Sequence, residues 1–202
     1  MQVWAITYNP EIFTEESTLG LDPPLAFNVS HDNALIAMAF GPGELDPPAY
    51  RLGVDVMKVE LPKRESFPAF VRIFSDQLTP LETQMVLSVP QADGVRLFFG
   101  IWTMKEAYTK ALGLGLGFDF SRIEYNATRE TLTIDGETPL GWQIIKFEIQ
   151  NERDGEQETY QGVAARFTGD DVTVISTNDS KGNWLFHYDA VAFVNRAIQE
   201  LV

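Results

Sequence analysis

The chain contains no cysteine, an absence that excludes both a disulfide framework and a thiolate metal centre. It has only two histidines, His31 and His187, too few for an imidazole-built zinc site. Basic residues are scarce as well: 15 Lys and Arg stand against 29 Asp and Glu, a net charge of −14. So acidic a chain repels a nucleic-acid backbone or an anionic membrane surface, and neither is the expected partner. An anionic small ligand would need a local basic pocket or a metal to hold it. The acid concentrates between Glu124 and Glu158, where nine carboxylates face only Arg129, Lys146 and Arg153, a local net of −6, so this stretch is not expected to touch phosphate. No segment approaches the ~20 apolar residues of a membrane helix. The opening MQVWAITYNPEIF lacks the basic start, apolar run and cleavage site of a secretory leader. A cytoplasmic enzyme or binding domain is the expectation.

What is present suffices for a core. With 202 residues, 45% hydrophobic and 12% aromatic, the chain can fold as one domain or two small lobes. Short β-type runs occur at Val3 to Tyr8, Leu25 to Val29 and Ala34 to Phe40, and Leu52 to Val59 reads as a strand rich in valine. Phe67, Phe70, Val71 and Phe74 have helical spacing within Arg64 to Phe74. Thr79, Pro80 and Glu82 form a helix start with cap, first-turn proline and capping-box acid. A long helix is expected from Ala92 to Leu112, ended by Gly113, Gly115 and Gly117. Strands follow at Phe120 to Tyr125, Trp142 to Ile149, Tyr160 to Phe167 and Val172 to Ser176, and a closing helix at Tyr188 to Leu201.

The long helix carries the first chemical signal. Trp102, Glu106 and Lys110 are spaced four apart and share one face, with Lys105 flanking them. By itself such a Glu and Lys pair is a solvated ion pair worth ~0.2–0.5 kcal/mol. Asp55, in the middle of an apolar strand, is costly to bury unless it is paired or bound to a cation; on its own it could equally be an edge residue facing water.

Three segments in order, FNVSHD at Phe27 to Asp32, GVDVMK at Gly53 to Lys58 and WTMKEAYTKALGLGLGF at Trp102 to Phe118, resemble the 4'-phosphopantetheinyl transferases of the larger, two-lobed type. The resemblance implies an α+β fold of two pseudo-symmetric lobes, each a small antiparallel sheet packed on a long helix. The first lobe would be incomplete over residues 1–52, and residues 53–202 would form the second, with the active site between them. It implies transfer of the phosphopantetheine arm of coenzyme A to a serine of an acyl or peptidyl carrier protein, releasing adenosine 3',5'-bisphosphate. The carriers would belong to fatty acid, polyketide, nonribosomal peptide or aminoadipate-pathway synthases. By the same resemblance Asp55 and Glu106 bind Mg²⁺, Glu106 also takes the serine proton, and Lys110 neutralises the transferring phosphate. Ser30 and His31 match residues that contact the 3'-phosphate of coenzyme A, and Lys105 either contacts a phosphate or faces solvent. Trp102 and Phe27 read as core packing. Lys63, Arg64 and Arg72 offer a basic surface for an acidic carrier helix.

Two departures accompany the resemblance. Met57 stands where many relatives have glutamate as a third metal ligand, and methionine there is like the animal and fungal branch. Only 26 residues precede Phe27, and no Gly-Lys-Pro occurs in the chain, so the resemblance implies a first lobe without its usual helices and basic segment. A shortened lobe would expose the apolar faces of Val3 to Tyr8 and Ala34 to Phe40, which a second copy could cover. The alternative function is a noncatalytic truncated relative that binds coenzyme A or carrier protein weakly. A sugar or lipid phosphate enzyme of another fold is the reading left if the motif match is accidental.

Overall fold

The structure, a computed structural model, describes residues 2–7, 25–42, 52–62, 65–177 and 184–200. Two four-stranded sheets form its frame. The first runs in the order β10 (Leu185–Asp189), β1 (Gln2–Thr7), β3 (Leu35–Pro42), β2 (Leu25–Asp32). The second is ordered β4 (Leu52–Lys58), β8 (Glu156–Phe167), β7 (Trp142–Arg153), β9 (Val174–Thr177). A hairpin of β5 (Ile123–Asn126) and β6 (Thr131–Ile134) stands apart. With helices α1 (Phe67–Ile73), α2 (Pro80–Leu87), α3 (Gln91–Ala111) and α4 (Ala190–Glu200), this is an α+β fold. Each sheet includes one parallel pair, β1 with β3 and β7 with β9, where the resemblance implied antiparallel pairing.

The second sheet is covered on both faces. Phe98, Ile101, Met104, Ala107 and Ala111 of α3 pack with Ile144, Val163 and Ala165 on one side. On the other, Val54, Val56, Phe147, Tyr160 and Ala164 meet Ala26, Leu35, Ala37 and Ala39 of the first sheet. Strand β4 therefore alternates, sending Val54 and Val56 toward the first sheet and Gly53, Asp55 and Met57 toward α3. Gly53 is required at this crossing: a Cβ there would lie 2.0 Å from the Ala107 carbonyl oxygen.

The helix signals act as their residues dictate. Thr79 caps α2 in a full capping box, its hydroxyl accepting from the Glu82 amide at 3.3 Å while the Thr79 amide donates to Glu82 Oε2 at 2.8 Å. Helix α3 ends where Gly113 adopts φ +73, which a residue with a Cβ takes only under strain.

Several expectations shift. Phe120 to Arg122 forms a 3-10 turn, so β5 starts only at Ile123. Strand β6, only four residues long, is too short to carry a periodic signal of its own in the sequence. The β7–β8 hairpin extends to Arg153 and Glu156 because its distal residues pair beyond the core, where polar side chains show no apolar alternation. The expected closing helix begins at Ala190, since Tyr188 and Asp189 complete β10 and the Asp189 carboxylate accepts from the Ala192 amide at 2.9 Å as the helix cap. Phe27 is not core: it is 59% exposed, on the outward face of β2. Lys63 and Arg64 lie outside the described residues, whereas Arg72 is exposed in the last turn of α1.

Candidate active site

The FNVSHD segment divides by strand alternation. Phe27, Val29 and His31 are exposed on one face of β2, while Asn28, Ser30 and Asp32 point toward β4. Because β4 is an edge strand, its outward polar groups need partners from elsewhere, and these three side chains provide them. Asn28 Oδ1 accepts from the Val54 amide at 2.9 Å, and Asp32 Oδ2 accepts from the Lys58 amide at 2.7 Å. Between them the Ser30 hydroxyl donates to Asp55 Oδ1 at 2.8 Å.

Asp55 is thereby fixed by one oxygen. Lys110, from the last turn of α3, donates to the same Oδ1 at 2.7 Å, to Ser30 Oγ at 3.2 Å and to the Val54 carbonyl at 3.2 Å. The second oxygen, Oδ2, is buried and has no hydrogen-bond partner. Burial raises the Asp55 carboxyl above its ordinary value, opposed by the Lys110 charge, by the bonds from Lys110 and Ser30 and, least, by the Val56 backbone amide, which lies too poorly aligned to count as a hydrogen bond to Oδ2. Glu106 is half-buried one turn before Lys110. Burial raises its carboxyl, the Asp55 charge adds to this, and Lys110 opposes it. Two carboxylates close enough to repel, one holding a vacant lone pair inside the protein, and one ammonium form a site suited to a hard divalent cation and to phosphate oxygen.

Ser30, Asp55, Glu106 and Lys110 are thus brought together. His31 is not among them; it lies on the solvent face of β2. Lys105 turns the other way altogether. With no exposed area, its ammonium donates to Glu82 Oε2 at 2.6 Å, the Gln77 carbonyl at 2.8 Å and the Phe120 carbonyl at 3.0 Å. The expectation that Lys105 meets phosphate or solvent is therefore corrected. A helix turns ~100° per residue, enough to carry position 105 from the Glu106 face into the core. Trp102 is partly buried against Phe74, Phe98 and Phe120, in keeping with core packing.

Asn28 and Asp32 are site-supporting residues that the sequence motif alone does not single out; their only signal is a spacing of two either side of Ser30 on one strand. Met57 faces a cleft of about 380 Å³ shared with Asp32, Lys58, Phe74 and Trp102. Among the described residues no group of three His, Cys, Asp or Glu side chains is placed to hold a metal, so a cation here would rest on two carboxylates.

The two four-stranded sheets thus carry an Asp, Glu and Lys cluster where β2, β4 and α3 meet. A family model described as 4'-phosphopantetheinyl transferase superfamily matches residues 51–164, and the chain belongs to that superfamily. It is 52% identical over 191 residues to the 4'-phosphopantetheinyl transferase pptA of Paxillus involutus, covering 92% of this chain and 70% of that protein. Similarity extends to the L-aminoadipate-semialdehyde dehydrogenase-phosphopantetheinyl transferase of Rattus norvegicus, 29% identical over 75% of this chain and 49% of that protein. Its namesake in Xenopus laevis is 36% identical over 55% of this chain and 35% of that protein. The chain thus spans half or less of the animal relatives' lengths.

Proposed function

We propose that this chain transfers the 4'-phosphopantetheine moiety of coenzyme A to a serine of an apo acyl or peptidyl carrier protein, with Mg²⁺, releasing adenosine 3',5'-bisphosphate. The observation that carries the reading is the convergence of Asp55, Glu106 and Lys110, with Asp55 Oδ2 buried and unpartnered. A carboxylate oxygen without a partner is expensive inside a protein, and a bound cation removes that cost.

Asp55 and Glu106 would hold the cation. Bound there, Mg²⁺ supplies Lewis acidity and charge neutralisation at the diphosphate of coenzyme A. Glu106 accepts the proton of the carrier serine, directly or through a water. The serine oxygen forms a bond to the phosphorus that carries pantetheine. The bond from that phosphorus to the bridging oxygen breaks, and adenosine 3',5'-bisphosphate leaves with the electron pair. Lys110 neutralises the phosphate oxygens during the exchange. His31, on the outer face of β2, offers an imidazole donor to the 3'-phosphate. The cleft beside Met57 and Trp102 offers apolar room for the pantetheine arm. Arg72 belongs to the surface assigned to the carrier.

The name of the rat relative directs the choice of carrier to an aminoadipate-pathway domain first, with fatty acid, polyketide and nonribosomal peptide carriers next. No described helix is long and apolar enough to cross a membrane, and a cytoplasmic site of action is part of the proposal. The test is intact mass measurement of an apo carrier protein incubated with the chain, coenzyme A and Mg²⁺ beside an EDTA control. A Mg²⁺-dependent phosphopantetheine adduct supports the reading. Soluble, folded chain that yields no adduct on any of these carriers rejects it.

A further inference from the structure

Lys110 is held as a cation would be held. Its ammonium sits among three oxygens, Asp55 Oδ1 at 2.7 Å, Ser30 Oγ at 3.2 Å and the Val54 carbonyl at 3.2 Å. An ammonium has three protons to donate, and all three are committed here, leaving none for a phosphate. The side chain is nevertheless 24% exposed, so its flexible stem has an open route outward. Asp55 Oδ2 waits without a partner on the same carboxylate. A divalent cation arriving at Asp55 while Lys110 is seated would place two cations, carrying three positive charges, on one carboxylate, with only half-buried Glu106 to offset them.

We infer that Lys110 is the internal counter-ion of the free site, and that it surrenders Asp55 to a divalent cation only when a phosphate-bearing ligand draws the ammonium outward. The inference rests on the proposed reading of Asp55 and Glu106 as cation ligands. It gives Lys110 two positions: on Asp55, Ser30 and Val54 in the free chain, and on phosphate oxygen in the complex. Cation and diphosphate then bind as a coupled pair, each raising the affinity for the other by the same factor.

The test is a titration of Mn²⁺, standing in for Mg²⁺, read by the electron paramagnetic resonance signal of the free ion, with and without coenzyme A. Wild type without coenzyme A is expected to bind Mn²⁺ weakly. Lys110→Met should bind it roughly tenfold more tightly or better, because a unit charge a few ångströms away has been removed. Adding Asp55→Asn to Lys110→Met should abolish that gain, which locates the ion on Asp55. Coenzyme A should tighten Mn²⁺ binding more in wild type than in Lys110→Met. Equal Mn²⁺ affinity of wild type and Lys110→Met without coenzyme A, together with tight binding by wild type in its presence, would overturn the inference and leave the ligand assignment standing. Absence of Mn²⁺ binding by every form, even with coenzyme A, would reject the ligand assignment and the inference with it. Lys110→Gln, also uncharged, replaces Lys110→Met if circular dichroism shows the latter unfolded.

Discussion

Gly53 meets Ala107 backbone to backbone: a Cβ at Gly53 would lie 2.0 Å from the Ala107 carbonyl oxygen and 2.6 Å from the Ala111 amide nitrogen. This contact lets β4 press onto α3, and Asp55, two residues along, comes within 2.7 Å of Lys110 as a result. Neither obstructing atom belongs to a flexible side chain, so relief requires moving strand or helix. Gly53→Ala is expected to cost at least about 1–3 kcal/mol, the usual range for overpacking. It should also weaken Mn²⁺ binding in the presence of coenzyme A. Urea unfolding measures the first effect, and an unchanged midpoint would contradict the close approach.

Glu82 and Lys105 form an ion pair with no exposed side-chain area on either partner. Glu82 also accepts from the Thr79 amide at 2.8 Å and, through Oε1, from the Tyr125 amide at 2.9 Å, joining α2, α3 and β5. Burial pushes Glu82 up and Lys105 down, each opposed by its partner. Lys105→Met leaves a buried carboxylate uncompensated and should cost about 3–5 kcal/mol, while Glu82→Leu combined with Lys105→Met should cost less than the sum of the two singles but not restore wild-type stability, because the Thr79 and Tyr125 amides then lose their acceptor. Denaturant unfolding of both single variants and the pair gives the coupling. Two small, additive losses would show that the pair is not the structural tie the geometry indicates.

Glu158 provides a test against pH. Lys58 at 2.9 Å, Asn151 at 3.0 Å and the Tyr160 hydroxyl at 3.0 Å hold its carboxyl below the ordinary value of 4.5, with the Lys58 bond the largest cause. Below 4.5 the unfolded chain then binds more protons than the folded one. The stability this carboxylate contributes is complete above that pH and drains away as pH falls through the folded value. Wild type and Glu158→Gln should therefore differ most at neutral pH and converge in acid. A difference in melting stability that is independent of pH would reject the assignment.

Activity should separate the site residues by role. Glu106→Gln is expected to lower kcat by about 10²–10⁴-fold, the range for a lost general base. His31→Ala, at an exposed position, should raise KM for coenzyme A with little change in kcat or in melting temperature. The carrier mass assay under saturating and limiting coenzyme A distinguishes the two. A His31→Ala defect confined to kcat would move His31 from binding to chemistry.

The elements legible from the sequence are those whose signal is local. Thr79 and Glu82 announce a capping box three residues apart, and Gly113 ends α3 because of its own backbone. The stripe of Trp102, Glu106 and Lys110 follows from helix geometry alone. What was not legible depends on partners distant in the chain. The fate of Lys105 is decided by Glu82, 23 residues away, and by the Phe120 carbonyl, so no pattern around position 105 distinguishes it from a surface lysine. Phe27 looks like a core residue in its own strand, and its exposure is fixed by Asn28, Ser30 and Asp32 claiming the inner face. The division of β7 and β8 into a core part and a polar distal hairpin likewise depends on where the first sheet ends.

Those inner-face side chains join the two sheets without a backbone ladder, and the last prediction follows from this. Asn28 and Asp32 each satisfy an amide on the outer edge of β4, flanking the Ser30 bond to Asp55. Asn28→Ala removes the acceptor of the Val54 amide, next to Asp55, and should cost about 1–3 kcal/mol if no water substitutes. Asp32→Ala removes a charged acceptor from the Lys58 amide, where bonds are worth about 1.5–3 kcal/mol. Both residues act on one strand, so the double variant should lose less than the sum of the singles: once β2 has slipped at one end, the other bond is already weakened. The functional consequence falls on Ser30, whose bond at 2.8 Å sets which Asp55 oxygen is occupied and which is left for a cation. Mn²⁺ affinity in the presence of coenzyme A should therefore drop in Asn28→Ala even under conditions where the variant is fully folded. A variant that loses stability while keeping wild-type Mn²⁺ affinity would mean that the β2 to β4 junction holds the sheets together but does not orient the carboxylate.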